Sequence, residues 1–221
     1  RLCDADPLVI AAYRMILASA ILIPYALARH RVQTVALLTS RTWPILVSGL
    51  LLALHFASWI SSLSHTSVAS SAFLVTTNPI FVGLGAWIIL KERLGTKLLL
   101  GTAVALGGAF WISYQDLVSS DHALFGDLLA IGGAIAMSGH LLIGRRVRRS
   151  VSLTPYVTVV YSIAAVTLTL VVLLTGQQLT GHSTNDFLLF VALAIGPQLL
   201  GHTSFNYALG TMPPSLLVPL L

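Results

Sequence analysis

Six side chains able to hydrogen-bond or stack, His55, Trp59, Asn78, His140, Gln198 and His202, fall inside long apolar runs of a 221-residue chain. Imidazole and carboxamide groups exchange hydrogen bonds with a small polar solute, and an indole offers an apolar or cation-stacking wall. In a helix, spacings of three and four put His55, Ser58, Trp59 and Ser62 on one face. Gln198, His202 and Asn206, at i, i+4 and i+8, form a second stripe, and Thr154, Thr158 and Ser162 a milder one. A single histidine of this kind is more often a packing residue. Several stripes on several helices point instead to a shared polar interior. A histidine there can carry a proton near neutral pH. Facilitated diffusion without a coupled ion is equally open.

Two further places need an account, because polar groups at membrane depth are costly. Pro79, in Thr76-Thr77-Asn78-Pro79, has no N–H, so it leaves a carbonyl one turn earlier unpaired and bends its helix. Asn78 and the two threonines either re-satisfy that backbone or face a cavity. Arg14 is the only charge well inside an apolar run. It snorkels to headgroups, pairs with an outer aspartate, or contacts an anionic group of a substrate. Other chemistry is missing. No P-loop, HExxH, GxSxG or dinucleotide fingerprint occurs, so catalytic residues and cofactors are expected to be none. Cys3 is the lone cysteine, which excludes a disulfide framework and a cysteine zinc set, and no metal is expected. No Asp or Glu lies deep in a run, so the usual carboxylate proton carrier is absent from this portion.

The elements that hold these residues must be membrane helices. The chain is 56% hydrophobic and 9% charged, against roughly 25% charged in soluble domains. Its mean hydropathy is +0.90. A spanning helix needs about 20 apolar residues. The candidates are 8–28, 43–63, 68–90, 98–114, 128–144, 153–175 and 187–209, with an eighth beginning near Pro213. Period-2 alternation is missing, and lipid forbids unpaired backbone, so helix is the only type available. Gly101, Ala105 and Gly108 line one face, and Gly132, Gly133 and Ala136 another, permitting close helix packing.

Charge orients the helices. Apart from Arg1 and Arg14, the twelve Lys and Arg residues form three clusters, at Arg29, Arg31 and Arg41, at Lys91, Arg93 and Lys97, and at Arg145, Arg146, Arg148 and Arg149. The linkers within each pair of runs carry Asp116, Asp121, Asp127 and Asp186 instead. Two crossings between clusters return each cluster to one face, which the positive-inside rule makes cytoplasmic. The net charge of +5 then reflects loop anchors beside lipid headgroups, so no nucleic acid partner is expected. Glu92, between Lys91 and Arg93, reads as a helix-end ion pair. The chain does not begin with Met and ends in the apolar stretch Leu216 to Leu221, so it reads as a fragment of a longer protein.

The short turns at 64–67 and 210–213 align at an offset of 146, and the charge rule puts them on opposite faces, as an inverted repeat requires. The stretch from Phe56 through Ala69 to Pro79-Ile80-Phe81, followed by Leu90-Lys91-Glu92-Arg93-Leu94, resembles the EamA domain of the drug/metabolite transporter superfamily. Tyr13-Arg14 resembles the arginine early in that family's second helix, and Gly126-Asp127-Leu128-Leu129-Ala130 the opening of its second repeat. Ala208-Leu209 matches the family's pair before its short turn. Ser62-Leu63 departs mildly from it. The resemblance implies an all-α membrane fold of ten helices in two inverted repeats of five. About seven full helices and part of an eighth are present here. Residues 1–114 would be a first repeat lacking its first helix, and 115–221 a second repeat truncated in its fourth.

The expectation is a secondary transporter of the cytoplasmic membrane, an exporter of amino acids or related small metabolites, working by alternating access. Its partners are a small-molecule substrate and the lipid bilayer. Substrate identity, coupling ion and oligomeric state are left open. Two rival readings exist. A scaffold or receptor would show neither central polar stripes nor an inverted repeat. An intramembrane enzyme would draw on His140 after Ser138-Gly139, but no Gly-x-Ser-Gly nucleophile site accompanies it.

Overall fold

The computed structural model describes residues 3–39, 42–90, 96, 100–101, 103–104, 107–108, 110–111 and 123–211. The chain folds into α1 (Pro7–Thr39), α2 (Thr42–Ser62), α3 (Val68–Val75), α4 (Asn78–Leu90), α5 (Ala123–Arg148), α6 (Leu153–Leu174), α7 (Thr184–Leu193), a π-helix over Ala194–His202 and α8 (Thr203–Thr211). Among the described residues there is no strand. Among the described residues, six stretches are long and apolar enough to cross a bilayer, so this is a multi-pass membrane protein. They match six of the seven expected spans. The remaining one, 98–114, is described in part, and its described residues are helical. The start of an eighth near Pro213 lies outside the described residues, as do Arg41, the cluster at Lys91, Arg93 and Lys97, Glu92, Asp116 and Asp121.

Local chemistry explains where the helices stop. Ser67 caps α3, its hydroxyl accepting from Ser70 N at 3.0 Å. Ser183 and Asp186 form a capping box on α7, each side chain bonding the other's backbone N–H. Asp186, expected as an outer loop charge, is therefore buried as a cap, and its second oxygen also accepts from Asp4 N at 3.2 Å. The span from Val68 divides at Thr76 and Thr77, just before Pro79. There the threonines do the repair: Thr77 Oγ1 donates to Leu74 O at 2.6 Å and Thr76 Oγ1 to Phe73 O at 2.8 Å.

The chain forms two compact units, whose boundaries run inside α2 and α5. The first comprises Arg1–Ala53 and Ile143–Thr211. In it α1 packs along α6, with Ala11, Ala12, Met15 and Ala18 of α1 and Tyr156, Val160, Tyr161, Ala164 and Leu168 of α6 all buried. Val166, Leu170, Leu173 and Leu174 are exposed on α6. A helix apolar all round, with one face open, belongs in lipid. Ser48 and Tyr156 share a buried hydrogen bond of 2.7 Å.

The second unit comprises the described residues of Leu54–Leu142. Its core sets Leu74 against Ala130, with Phe73 and Ile131 around them. Gly133 of α5 sits so close to α2 that a Cβ there would lie 3.3 Å from His55 O and from Trp59 N and Cβ. Glycine at this position is what lets the two helices meet. Near the start of α5, the buried Asp127 takes two hydroxyl protons on one oxygen, from Thr66 at 2.8 Å and Ser70 at 2.9 Å. It ties the α2–α3 turn to α5.

Candidate functional site

In the second unit the polar residues gather where α2 and α4 meet α5. His55 is buried, and its Nδ1 lies 3.0 Å from Gly133 O. A carbonyl only accepts, so Nδ1 is the donor in this contact. The imidazole stacks on Trp59, with ring centres 5.6 Å apart and planes at 21°. Trp59 Nε1 is buried without a hydrogen-bond partner. On α4, Asn78 has its carbonyl within 2.9 Å of Ser138 Oγ, while its side-chain Oδ1 is buried and unpartnered. Among the described residues of this unit, Trp59 Nε1, Asn78 Oδ1 and Asp127 Oδ2 are thus buried without hydrogen-bond partners. His140 is fully buried on α5.

The first unit holds a cluster around Arg14. The guanidinium is 2% exposed, and its Nε donates to Gln198 Oε1 at 2.9 Å. Gln198 is completely buried. It stands in the π-helix, directly after Pro197. Proline removes one ladder bond, and a wider turn absorbs the mismatch, as Thr203 N bonds back to Gln198 O, five residues earlier. Tyr161 of α6 shares a hydrogen bond with Thr203 Oγ1 at 3.2 Å, the side chains of Gln198 and Asn206 also stand within hydrogen-bonding reach of its hydroxyl, and the Arg14 charge lies nearby. Asn206 is fully buried, its Nδ2 donating to His202 O at 2.9 Å, and its Oδ1 has no partner. Among the described residues, no group of three His, Cys, Asp or Glu is placed to hold a metal ion.

Comparison with known proteins places the chain in a family. Residues 1–114 match the model of the EamA-like transporter family. The chain belongs to that family. It is 24% identical over 169 residues to the uncharacterized transporter YwfM of Bacillus subtilis (strain 168), covering 75% of this chain and 55% of YwfM. It is 32% identical over 74 residues to the uncharacterized transporter YetK of the same organism, covering 32% of this chain and 22% of YetK. The aligned part thus spans about half of one relative and less of the other. A solved crystal structure of a protein superposes with a TM-score of 0.77 at 21% identity, covering 98% of this chain and 74% of that one. The likeness establishes the fold.

Membership of the EamA-like transporter family agrees with the apolar helices long enough to span a membrane. The residues singled out in the sequence fall into both units. His55, Trp59, Asn78 and His140 belong to the second, Arg14, Gln198 and His202 to the first. His55 and Trp59 touch, as do Arg14 and Gln198. His202 is half-buried and lies edge-on to Phe205 at 6.3 Å. On α6, Thr158 Oγ1 and Ser162 Oγ each donate to their own helix, at 2.7 Å to Thr154 O and Thr158 O. Of the stripe through Gln198, His202 and Asn206, the first two members lie in the π-helix and the third in α8. Tyr161 was missed, since an aromatic in an apolar run reads as packing. Its only signal was the hydroxyl, which a buried tyrosine needs to match.

Proposed function

We propose that this EamA protein exports small polar metabolites, amino acids or related compounds, across the cytoplasmic membrane by alternating access, with residues 1–114 and 115–221 serving as inverted repeats. What supports the reading is one observation: Trp59 Nε1 and Asn78 Oδ1, in one unit, are buried without partners on helices apolar enough to span a membrane. An unmatched buried polar group costs about 1–3 kcal/mol, which a bound solute returns by completing the hydrogen bond. Trp59 with His55 would form a flat wall for the solute. In the same unit Asn78 would fix its orientation and His140 would line its path, and in the first unit Gln198 and His202 are the candidates for solute contact.

Transport by the full-length protein tests this. Asn78→Ala and Gln198→Ala should each cut efflux of the transported compound by about tenfold, equivalent to ~1.4 kcal/mol, the scale of one hydrogen bond. Folded yield should stay near that of the wild type. Normal flux per folded molecule in both variants would sink the assignment.

A further inference from the structure

Asp127, in the second turn of α5, carries a charge that its surroundings do not balance. It is 5% exposed, and both of its hydrogen bonds, from Thr66 Oγ1 at 2.8 Å and Ser70 Oγ at 2.9 Å, fall on Oδ1. Its other oxygen, Oδ2, is buried and has no partner. The two donors are neutral hydroxyls. Among the described residues of this unit there is no lysine or arginine. The first turn of α3, where Ser70 stands, offers at most about half a positive charge. A carboxylate kept from water is paired or holds a metal ion.

The atoms gathered here say which ion. They are a carboxylate and two hydroxyl oxygens, all hard ligands. Each hydroxyl spends its proton on Oδ1 and keeps lone pairs for a cation. One carboxylate balances one positive charge, and a divalent ion would be left half neutralised. The backbone independently shows that the place is built tightly. A Cβ at Gly126 would lie 2.7 Å from Thr66 N and Cβ, so glycine there lets the α2–α3 turn close on α5 and brings Thr66 onto the carboxylate.

We propose that Asp127 and Thr66 form a sodium-binding site, with Ser70 positioning the carboxylate. The ion sits on Asp127 Oδ2 and the Thr66 hydroxyl oxygen, and it fastens the α2–α3 turn to α5. The site stands apart from the transport reading, because its test needs no flux.

The full-length protein, purified in detergent without sodium, is melted at pH 7 in choline, potassium or sodium chloride at equal ionic strength. Sodium should raise the melting temperature above that in choline or potassium, by an amount that grows with its concentration. Asp127→Asn keeps the shape and an acceptor for both hydroxyls while removing the charge. It should lose the sodium response. Thr66→Val keeps the carboxylate and removes one oxygen, and it should need at least about tenfold more sodium for the same shift. Equal melting in sodium and choline overturns the proposal, as does a sodium response retained by Asp127→Asn. If Asp127→Asn does not fold, Thr66→Val decides, and an unchanged sodium requirement overturns the site. Equal melting in sodium and choline, with a gain at pH 5 that Asp127→Asn lacks, gives the place to a proton and removes the sodium assignment.

Discussion

Gly132 and Gly133 are neighbours in sequence and opposites in consequence. A Cβ at Gly132 meets nothing within 4 Å, whereas at Gly133 it meets α2 at 3.3 Å. Gly132→Ala should therefore stabilise by about 0.5–1 kcal/mol through helix propensity alone. Gly133→Leu should destabilise by about 1–3 kcal/mol, because its branches must displace His55 or Trp59. Paired melting curves of the two variants check this, and equal shifts would mean that α2 and α5 do not meet as described. The sequence offered both glycines as one small-residue face without saying which one bears the contact. At this scale residue type was legible and partnership was not. Arg14 and Gln198 are 184 positions apart, and no spacing rule joins them.

Among the elements, the break at Thr76-Thr77 could be read in advance, because Pro79 announces it and threonine is suited to repairing it. The π-helix could not, although Pro197 sits within it. A proline permits a kink, a bulge or a wider turn, and the choice is made by what the neighbouring helices bury. The end of α8 shows how such a choice is held. Arg148, in the last turn of α5, donates from Nε to Asn206 O at 3.2 Å and from a terminal nitrogen to Val151 O. Its guanidinium also lies against Gly210, where a Cβ would come within 2.7 Å of it. A charge at a helix C-terminus that also satisfies backbone carbonyls is favourable on both counts. Arg148→Ala should cost about 1.5–3 kcal/mol, the range for hydrogen bonds to charged groups. Hydrogen exchange should then quicken in α8 before it does in α1 or α6. Uniform quickening would show that Arg148 is not the local tie.

For the whole molecule, basic clusters give an orientation that does not depend on any contact. Arg31 and Arg148 should lie on the cytoplasmic side and Asn185 outside. Single cysteines at these positions in a Cys3→Ser background check this with an impermeant thiol reagent on intact cells. Labelling of position 185 only after permeabilisation would invert the topology. The membrane class and most spans were legible because a bilayer imposes one length and one polarity on every crossing. The division of the chain into two units was not, because it depends on which helix packs against which.

The first helix has an end that this length rule leaves over. From Pro7 to Arg29, α1 rises about 34 Å, enough to cross the hydrocarbon. At His30 the backbone leaves helical angles, with φ −139° and ψ 29°, before helix resumes to Thr39. Beyond that corner Val32, Val35 and Leu38 are exposed at i, i+3 and i+6, while Thr34 and Leu37 are buried. An apolar stripe just past two arginines suits the plane of the headgroups rather than their normal. The segment then behaves as an outrigger. It floats at a fixed depth, resists sinking or rising of α1, and turns any tilt of that helix into a lateral push on the surrounding lipid.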